Sequence, residues 1–210
     1  MKTKIFNLII LDESGSMQLI KRAAIDNVNE TIQTIRMAQT KHEEQEHYVT
    51  FVTFHDDVKT ICECVHCNEV KELTSKDYTP QCRTALYDAM GMSLTALQPK
   101  VAPDDKVLVT IVTDGYENSS KEYNGQAIKA LVDELKTNGW VFAYIGANQD
   151  VEKVAASISI TNVLNFEATH EGTMSMTERT NRCRLTLYRR MSGGGFNADE
   201  ANYNFYDEEK

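Results

Sequence analysis

Apolar positions recur along this chain in two rhythms, and the rhythms alternate. Ile5-Phe6-Asn7-Leu8-Ile9-Ile10-Leu11 is a nearly unbroken apolar run, which predicts a buried strand. Ile20, Ala24, Val28, Thr31, Ile35 and Ala38 then fall at spacings of three and four, predicting a long helix with Lys21, Arg22 and Glu30 off its apolar stripe. The charged stretch Lys41 to Glu46 marks a solvated turn, and Tyr48 to Phe54 reads as a second buried strand. After Asp56-Asp57, Val58 to His66 alternates in polarity, as an antiparallel edge strand does. Thr84 to Leu97 is predicted helical, with Leu86, Met90, Leu94 and Leu97 on one face. Val107 to Val112 is apolar on both faces, like a central parallel strand. A helix carrying Ile128, Leu131 and Leu135 should stop at Asn138-Gly139. Trp140 to Ile145 (strand), Val151 to Ser157 (helix) and Asn162 to Phe166 (strand) follow, and Met176, Thr180, Cys183, Leu187 and Met191 line a final helix.

Such alternation predicts an α/β fold with a mostly parallel sheet covered on both faces. Residues 1–192 read as one domain. Gly193-Gly194-Gly195 opens a segment, 193–210, that reads as a glycine linker and an acidic, aromatic tail, expected to be mobile. No internal repeat is visible. A length of 210 residues suits one such domain, and a net charge of −9 argues against non-specific nucleic-acid binding and against docking on an anionic membrane. The opening apolar run is short, carries Asn7 and meets Asp12, so it is read as a strand in preference to a secretory signal. Cys62, Cys64, Cys67, Cys82 and Cys183 are odd in number in a domain large enough to do without staples, which points to a reducing, cytoplasmic setting.

The candidate chemistry begins at Asp12-Glu13-Ser14-Gly15-Ser16, where oxygen-bearing side chains occupy alternate positions of a tight turn after the first strand. Thr84 opens a helix in Arg83-Thr84-Ala85-Leu86-Tyr87-Asp88, and Asp114 ends another buried strand in Thr113-Asp114-Gly115. Taken singly, Ser16 and Thr84 could be helix N-caps and Asp114-Gly115 a turn. Together they resemble the metal-ion-dependent adhesion site of von Willebrand factor A domains, with its D-x-S-x-S signature, threonine and aspartate in that chain order. The resemblance spans roughly Ile5 to Arg190 and is of the bacterial cytosolic, single-domain type. It implies a Rossmann-like fold of six strands in the order 3-2-1-4-5-6, strand three antiparallel, with the site in the crevice at the switch point between strands one and four.

The resemblance further implies that Asp12, Ser14, Ser16, Thr84 and Asp114 hold one divalent cation, some of them through water. Hard oxygen donors suit magnesium, or else manganese or calcium, better than zinc or copper. Neutral hydroxyls leave much of the ion's charge uncancelled, so an Asp or Glu from a protein partner can take an open coordination position. The partner is expected within an ATPase-associated or stress-resistance complex. The alternative is a magnesium-dependent phosphohydrolase with Asp12 as nucleophile, but Ser14 stands where that chemistry wants a second acid, and only Glu13 and Glu117 are spare carboxylates nearby in sequence. No enzyme activity is expected. One departure is that relatives commonly carry glycines where Cys82 and Arg83 stand; Arg83 either reaches toward an incoming carboxylate or points into water.

Other candidates are weaker. On a regular strand Cys62, Cys64 and His66 would share one face, a possible zinc set completed by Cys82 or His55, while Cys67 points away. Packing of reduced cysteines as small apolar groups is the plainer expectation. His42, His47 and His170 lie in polar surroundings and need no special role, and Cys183 falls on an apolar stripe. Tyr116 and Glu117 are placed to shape the rim of the binding face, as ordinary loop residues also would be. An acidic residue of the 193–210 tail could dock in the site of its own or a neighbouring copy.

Overall fold

Ten residues, Thr3–Asp12, form β1, and their alternation decides how the core is divided. Ile5, Ile9 and Leu11 face one side of the sheet while Phe6, Leu8 and Ile10 face the other, and all are buried. A strand apolar on both faces belongs at the centre of a sheet, and β1 lies there. The computed structural model describes residues 2–147, 150–192 and 196–207. Around β1 stand β2 (Gln45–Phe54), β3 (Val58–His66), β4 (Lys106–Thr113), β5 (Trp140–Gly146) and β6 (Val163–Asn165). The six strands run in the order β3-β2-β1-β4-β5-β6. Every neighbouring pair is parallel except β2 and β3. Fold class, strand order and the antiparallel edge are therefore as the sequence predicts.

Helices α1 (Lys21–Lys41) and α5 (His170–Met191) cover one face, and α2 (Leu86–Leu97), α3 (Gly125–Thr137) and α4 (Val151–Ser157) the other. The predicted stripe of α1 and that of α5 are buried throughout. α3 stops where expected, with Asn138 as its C-cap and Gly139 at a φ of +84°, a left-handed conformation that glycine adopts without a Cβ clash. No helix among the described residues is long and apolar enough to cross a membrane.

The glycines of the expected linker lie outside the described residues, but the tail beyond them does not hang free as composition suggests. Residues Ala198–Asn204 form α6, which lies on β5, and Ala201, Asn202, Phe205 and Tyr206 are buried. β6 pairs with β5 only along Tyr144 to Gly146, which leaves the start of β5 without a strand neighbour on the edge away from β4. The Asn202 amide fills that place: it accepts from the Phe142 N–H at 3.0 Å and donates to the Trp140 carbonyl at 2.8 Å. Asn162 donates to the carbonyls of Phe142 and Ala201 and accepts from the Phe205 N–H, joining the same edge to the tail. Buried backbone groups need partners, and two asparagine side chains supply them here.

The polar surroundings expected for His47 are also not found. His47 is fully buried beneath α5, its ring edge-on to Tyr188 at 4.6 Å, with Nε2 2.8 Å from the Gln45 amide oxygen. Burial, followed by the positive charges of His42, Arg184 and His66, lowers its pKa from 6.5 to about 4. An imidazole that is harder to protonate in the folded than in the unfolded chain makes stability fall as pH drops from 6.5 toward 4. The loss across that window should be about 3 kcal/mol. Denaturant titrations at neutral and acid pH should show this contribution in the parent protein and not in His47→Leu; equal pH slopes for the two would refute it.

Candidate metal centre

β1 and β4 are parallel neighbours with Leu11 opposite Val112, so both chains leave the sheet at the same end and side by side. Thr113, the last residue of β4, donates its hydroxyl to Asp12 Oδ2 at 2.6 Å, and the Ser14 N–H donates to Oδ1 at 2.7 Å. Both oxygens of Asp12 are thus held before any ligand is considered. The turn then brings the Ser14 and Ser16 hydroxyls to 3.2 Å from each other, and Ser16 donates to Asp114 Oδ1 at 2.5 Å. Gly115 shows where Thr84 stands. A Cβ added there would lie 3.1 Å from Thr84 Oγ1, 3.8 Å from Ser16 Oγ and 3.9 Å from Asp12 Oδ2. Three oxygens from two distant stretches therefore converge beside one bare Cα, and a side chain at that position would enter the space between them.

All five residues singled out in the sequence meet in this crevice. Asp12, Ser14, Thr84 and Asp114 are buried and Ser16 is exposed, so the cluster opens to solvent at Ser16. Capping does not explain the hydroxyls. Ser14 precedes the 3-10 turn Gly15–Ile20 without a side-chain cap bond, and α2 begins only at Leu86, with Ala85 as its N-cap. Thr84 and Ala85 stay outside the helix because other segments hold them. The Thr84 N–H and C=O pair with the side chain and N–H of Asn118, both at 3.0 Å, and the Ala85 N–H donates to the His55 carbonyl at 2.9 Å.

Burial pushes the Asp12 carboxyl up to about 6, against the hydrogen bonds from Thr113 and Ser14 and with the help of the Asp114 charge. Burial also raises Asp114, opposed by Ser16. Among the described residues neither acid forms a salt bridge with a Lys, Arg or His side chain. Two neighbouring buried carboxyls, each accepting from a hydroxyl and without an ion pair among the described residues, fit a hard divalent cation. Among the described residues no three His, Cys, Asp or Glu side chains gather in a metal-holding group, so any ion here rests on two carboxylates and on hydroxyl oxygens.

Sequence reasoning missed the shell that braces these side chains. The Tyr78 hydroxyl donates to the Asp12 carbonyl at 2.6 Å, and the Gln81 N–H donates to the Glu13 carbonyl at 2.9 Å. The buried carboxylate of Glu13 accepts from the Thr79 N–H and hydroxyl. Glu117 accepts from the N–H groups of Tyr87, Ser119 and Ser120 and from the Ser120 hydroxyl. Asp88 accepts three backbone N–H bonds, from Lys121, Glu122 and Tyr123. The Tyr123 ring lies over Gly91, where a Cβ would come within 2.3–2.5 Å of it. Residues 115–124 are thus strapped to the first turns of α2. The only legible signal was acids close to the signature residues; Glu117 also binds Ser119 and Ser120 beside it, but the other partners of these acids lie thirty or more residues away.

Arg83 neither reaches into the cluster nor stands unpaired: its Nε is 3.2 Å from Asp56 Oδ1 on the exposed surface. The expected shared face of Cys62, Cys64 and His66 does not form. β3 pairs with β2 through register shifts around Phe51, and Cys64 has a φ of +49°. Such an irregularity breaks the period of two. Cys62 packs against the α1 side of the core and Cys64 against the α2 side.

The sequence profile of the von Willebrand factor type A domain matches residues 8–179. No curated protein sequence matches the chain. Among solved structures, the fold is similar to the minor pilin PilB from Streptococcus sanguinis, at 13% identity and a TM-score of 0.64, covering 92% of this chain and 64% of that one. It is also similar to an ArnB paralogue from Sulfolobus acidocaldarius, at 16% identity and 0.58, covering 84% and 45%. A von Willebrand factor type A protein from Catenulispora acidiphila matches at 14% identity and 0.53, covering 84% and 42%. This chain therefore spans between two fifths and two thirds of the length of these neighbours, and at such identities they speak for the fold alone.

Proposed function

The chain belongs to the von Willebrand factor type A domain family, and from that premise we propose that it is a metal-dependent protein-binding module. Asp12, Ser14, Ser16, Thr84 and Asp114 would hold a divalent cation, magnesium by preference and manganese or calcium otherwise. The cation would supply an electrophilic centre to which a carboxylate of a partner protein binds from the open, Ser16 side. The observation that carries this reading is the convergence of Thr84, Ser16 and Asp12 oxygens on one point beside Gly115, with Asp114 bonded to Ser16.

Hydrolysis fits the same residues less well. Both oxygens of Asp12 are engaged by Thr113 and Ser14, which suits a ligand better than a nucleophile. Glu13 and Glu117, the spare acids by sequence, accept hydrogen bonds from the loops they brace and are not available to activate water. A reducing cytoplasm suits cysteines that form no disulfide among the described residues, and a place in a larger complex with an ATPase or in a stress-resistance system remains the setting we favour.

Affinity capture from the source organism tests the reading directly. A partner should be retained with magnesium and released by chelator, and Asp114→Ala should fail to capture it. Equal recovery under all three conditions would overturn metal-dependent binding. Turnover of a generic phosphate ester with magnesium, abolished by Asp12→Ala, would replace it with the hydrolase.

A further inference from the structure

The rim of this centre has a chemistry of its own. Met17 and Ile20 of the 3-10 turn are buried, whereas Leu19 is 88% exposed, the most open large apolar side chain among the described residues. In a 3-10 helix residues three apart eclipse one another, so Leu19 lies on the same face as Ser16, the exposed member of the cluster. Tyr116 follows Asp114-Gly115 on the neighbouring loop and is 53% exposed. Its hydroxyl accepts the Asp150 N–H at 3.1 Å, which pins the ring in place. A fixed aromatic surface loses little freedom on binding. On a third side, Arg83 and Asp56 neutralise each other. The other large apolar side chains exposed among the described residues, Met37, Met92, Met174 and Tyr203, lie on helices and not on the turns that bear the oxygens.

We propose that this face recognises a protein segment in which the coordinating acid is flanked by apolar side chains, one packing on Leu19 and one on Tyr116. The inference rests on the metal-dependent reading above and specifies its partner. A run of several acids would gain nothing from these neighbours and would meet a chain of net charge −9. A single carboxylate supplies the metal bond, and the two apolar platforms supply the remaining affinity. The occupant is a loop or extended segment that can present three consecutive contacts across the crevice.

A displayed library of random linear peptides, selected on the magnesium-loaded protein and counter-selected on Asp114→Ala, tests this. Enriched peptides should share an Asp or Glu with an aliphatic or aromatic residue close on each side. Leu19→Gln and Tyr116→Ser should each weaken the selected peptides about tenfold, and Leu19→Met should restore binding. Neither variant should change the rise in melting temperature that magnesium produces. Metal-dependent peptides without apolar flanks, or indifference to both substitutions, would overturn the inference and leave the module intact. Failure to enrich any peptide despite a magnesium-induced melting shift would also overturn it. Absence of both the shift and the peptides would instead overturn the metal-dependent reading itself.

Discussion

Asp12→Asn is expected to make the metal-free protein more stable at neutral pH while erasing the stabilisation that magnesium confers. Asp12 is completely buried, shares its crevice with Asp114 and has its pKa pushed up to about 6 from 3.8. A carboxyl that holds its proton more tightly in the folded than in the unfolded chain weakens the fold as pH rises through that window. The cost is fully present above it and amounts to about 1–3 kcal/mol. An asparagine amide keeps the acceptor for the Ser14 N–H, and the Thr113 hydroxyl can rotate to accept where it now donates. The strain then disappears, and with it the charge that would bind the ion. For wild type, a cation at a hundred times its dissociation constant should add about 2.7 kcal/mol. Denaturant titrations with chelator and with magnesium measure both halves. The crossing of the two orders of stability is the diagnostic result; equal stabilisation of both proteins by magnesium would remove Asp12 from the ligand set.

The second large effect lies far from that crevice. Asn202→Ala should cost about 3–5 kcal/mol, because it leaves the Phe142 N–H and the Trp140 carbonyl buried without partners on the edge of β5 that β6 does not cover. The substitution of one short side chain would ordinarily be mild on a tail. Here the amide stands in for a strand. Asn202→Asp should be at least as harmful at neutral pH, since a carboxylate can accept from Phe142 but offers no donor to Trp140 or Ala198. Removing everything after Ser192 should cost more again, as the contacts of Ala201, Phe205 and Tyr206 go with it. Urea unfolding of the three variants checks this, together with faster hydrogen exchange at Phe142. A loss below about 1 kcal/mol for Asn202→Ala would mean that the tail is not part of the folded unit.

The two variants divide along the line between what was legible in the chain and what was not. Asp12 is conspicuous before any coordinates exist. It ends a run of apolar residues, begins an alternating set of oxygen-bearing side chains, and has Thr84 and Asp114 after it in a familiar order. Asn202 is one asparagine among several in an acidic stretch after glycines, and nothing in its neighbourhood announces a partner sixty residues earlier. Glu117 and Glu13 are an intermediate case. Their nearness to the signature residues was plain, but their commitment to the backbone at Thr79 and Tyr87, far along the chain, was not.

By itself the sequence determined the alternation of strands and helices, the apolar stripes, the antiparallel edge and the five oxygen-bearing side chains that meet in one crevice. Those features rest on periodicity and on short motifs, which are properties of neighbouring residues and survive whatever the rest of the chain does. Only the tertiary structure decided that a register shift at β3 sends Cys62 and Cys64 to opposite sides of the sheet, and that His47 is buried. It also decided that the tail completes β5 and that Leu19 and Tyr116 are left exposed. Each of these depends on which segments become neighbours in space, and the demand that every buried backbone group find a partner is met across such distances.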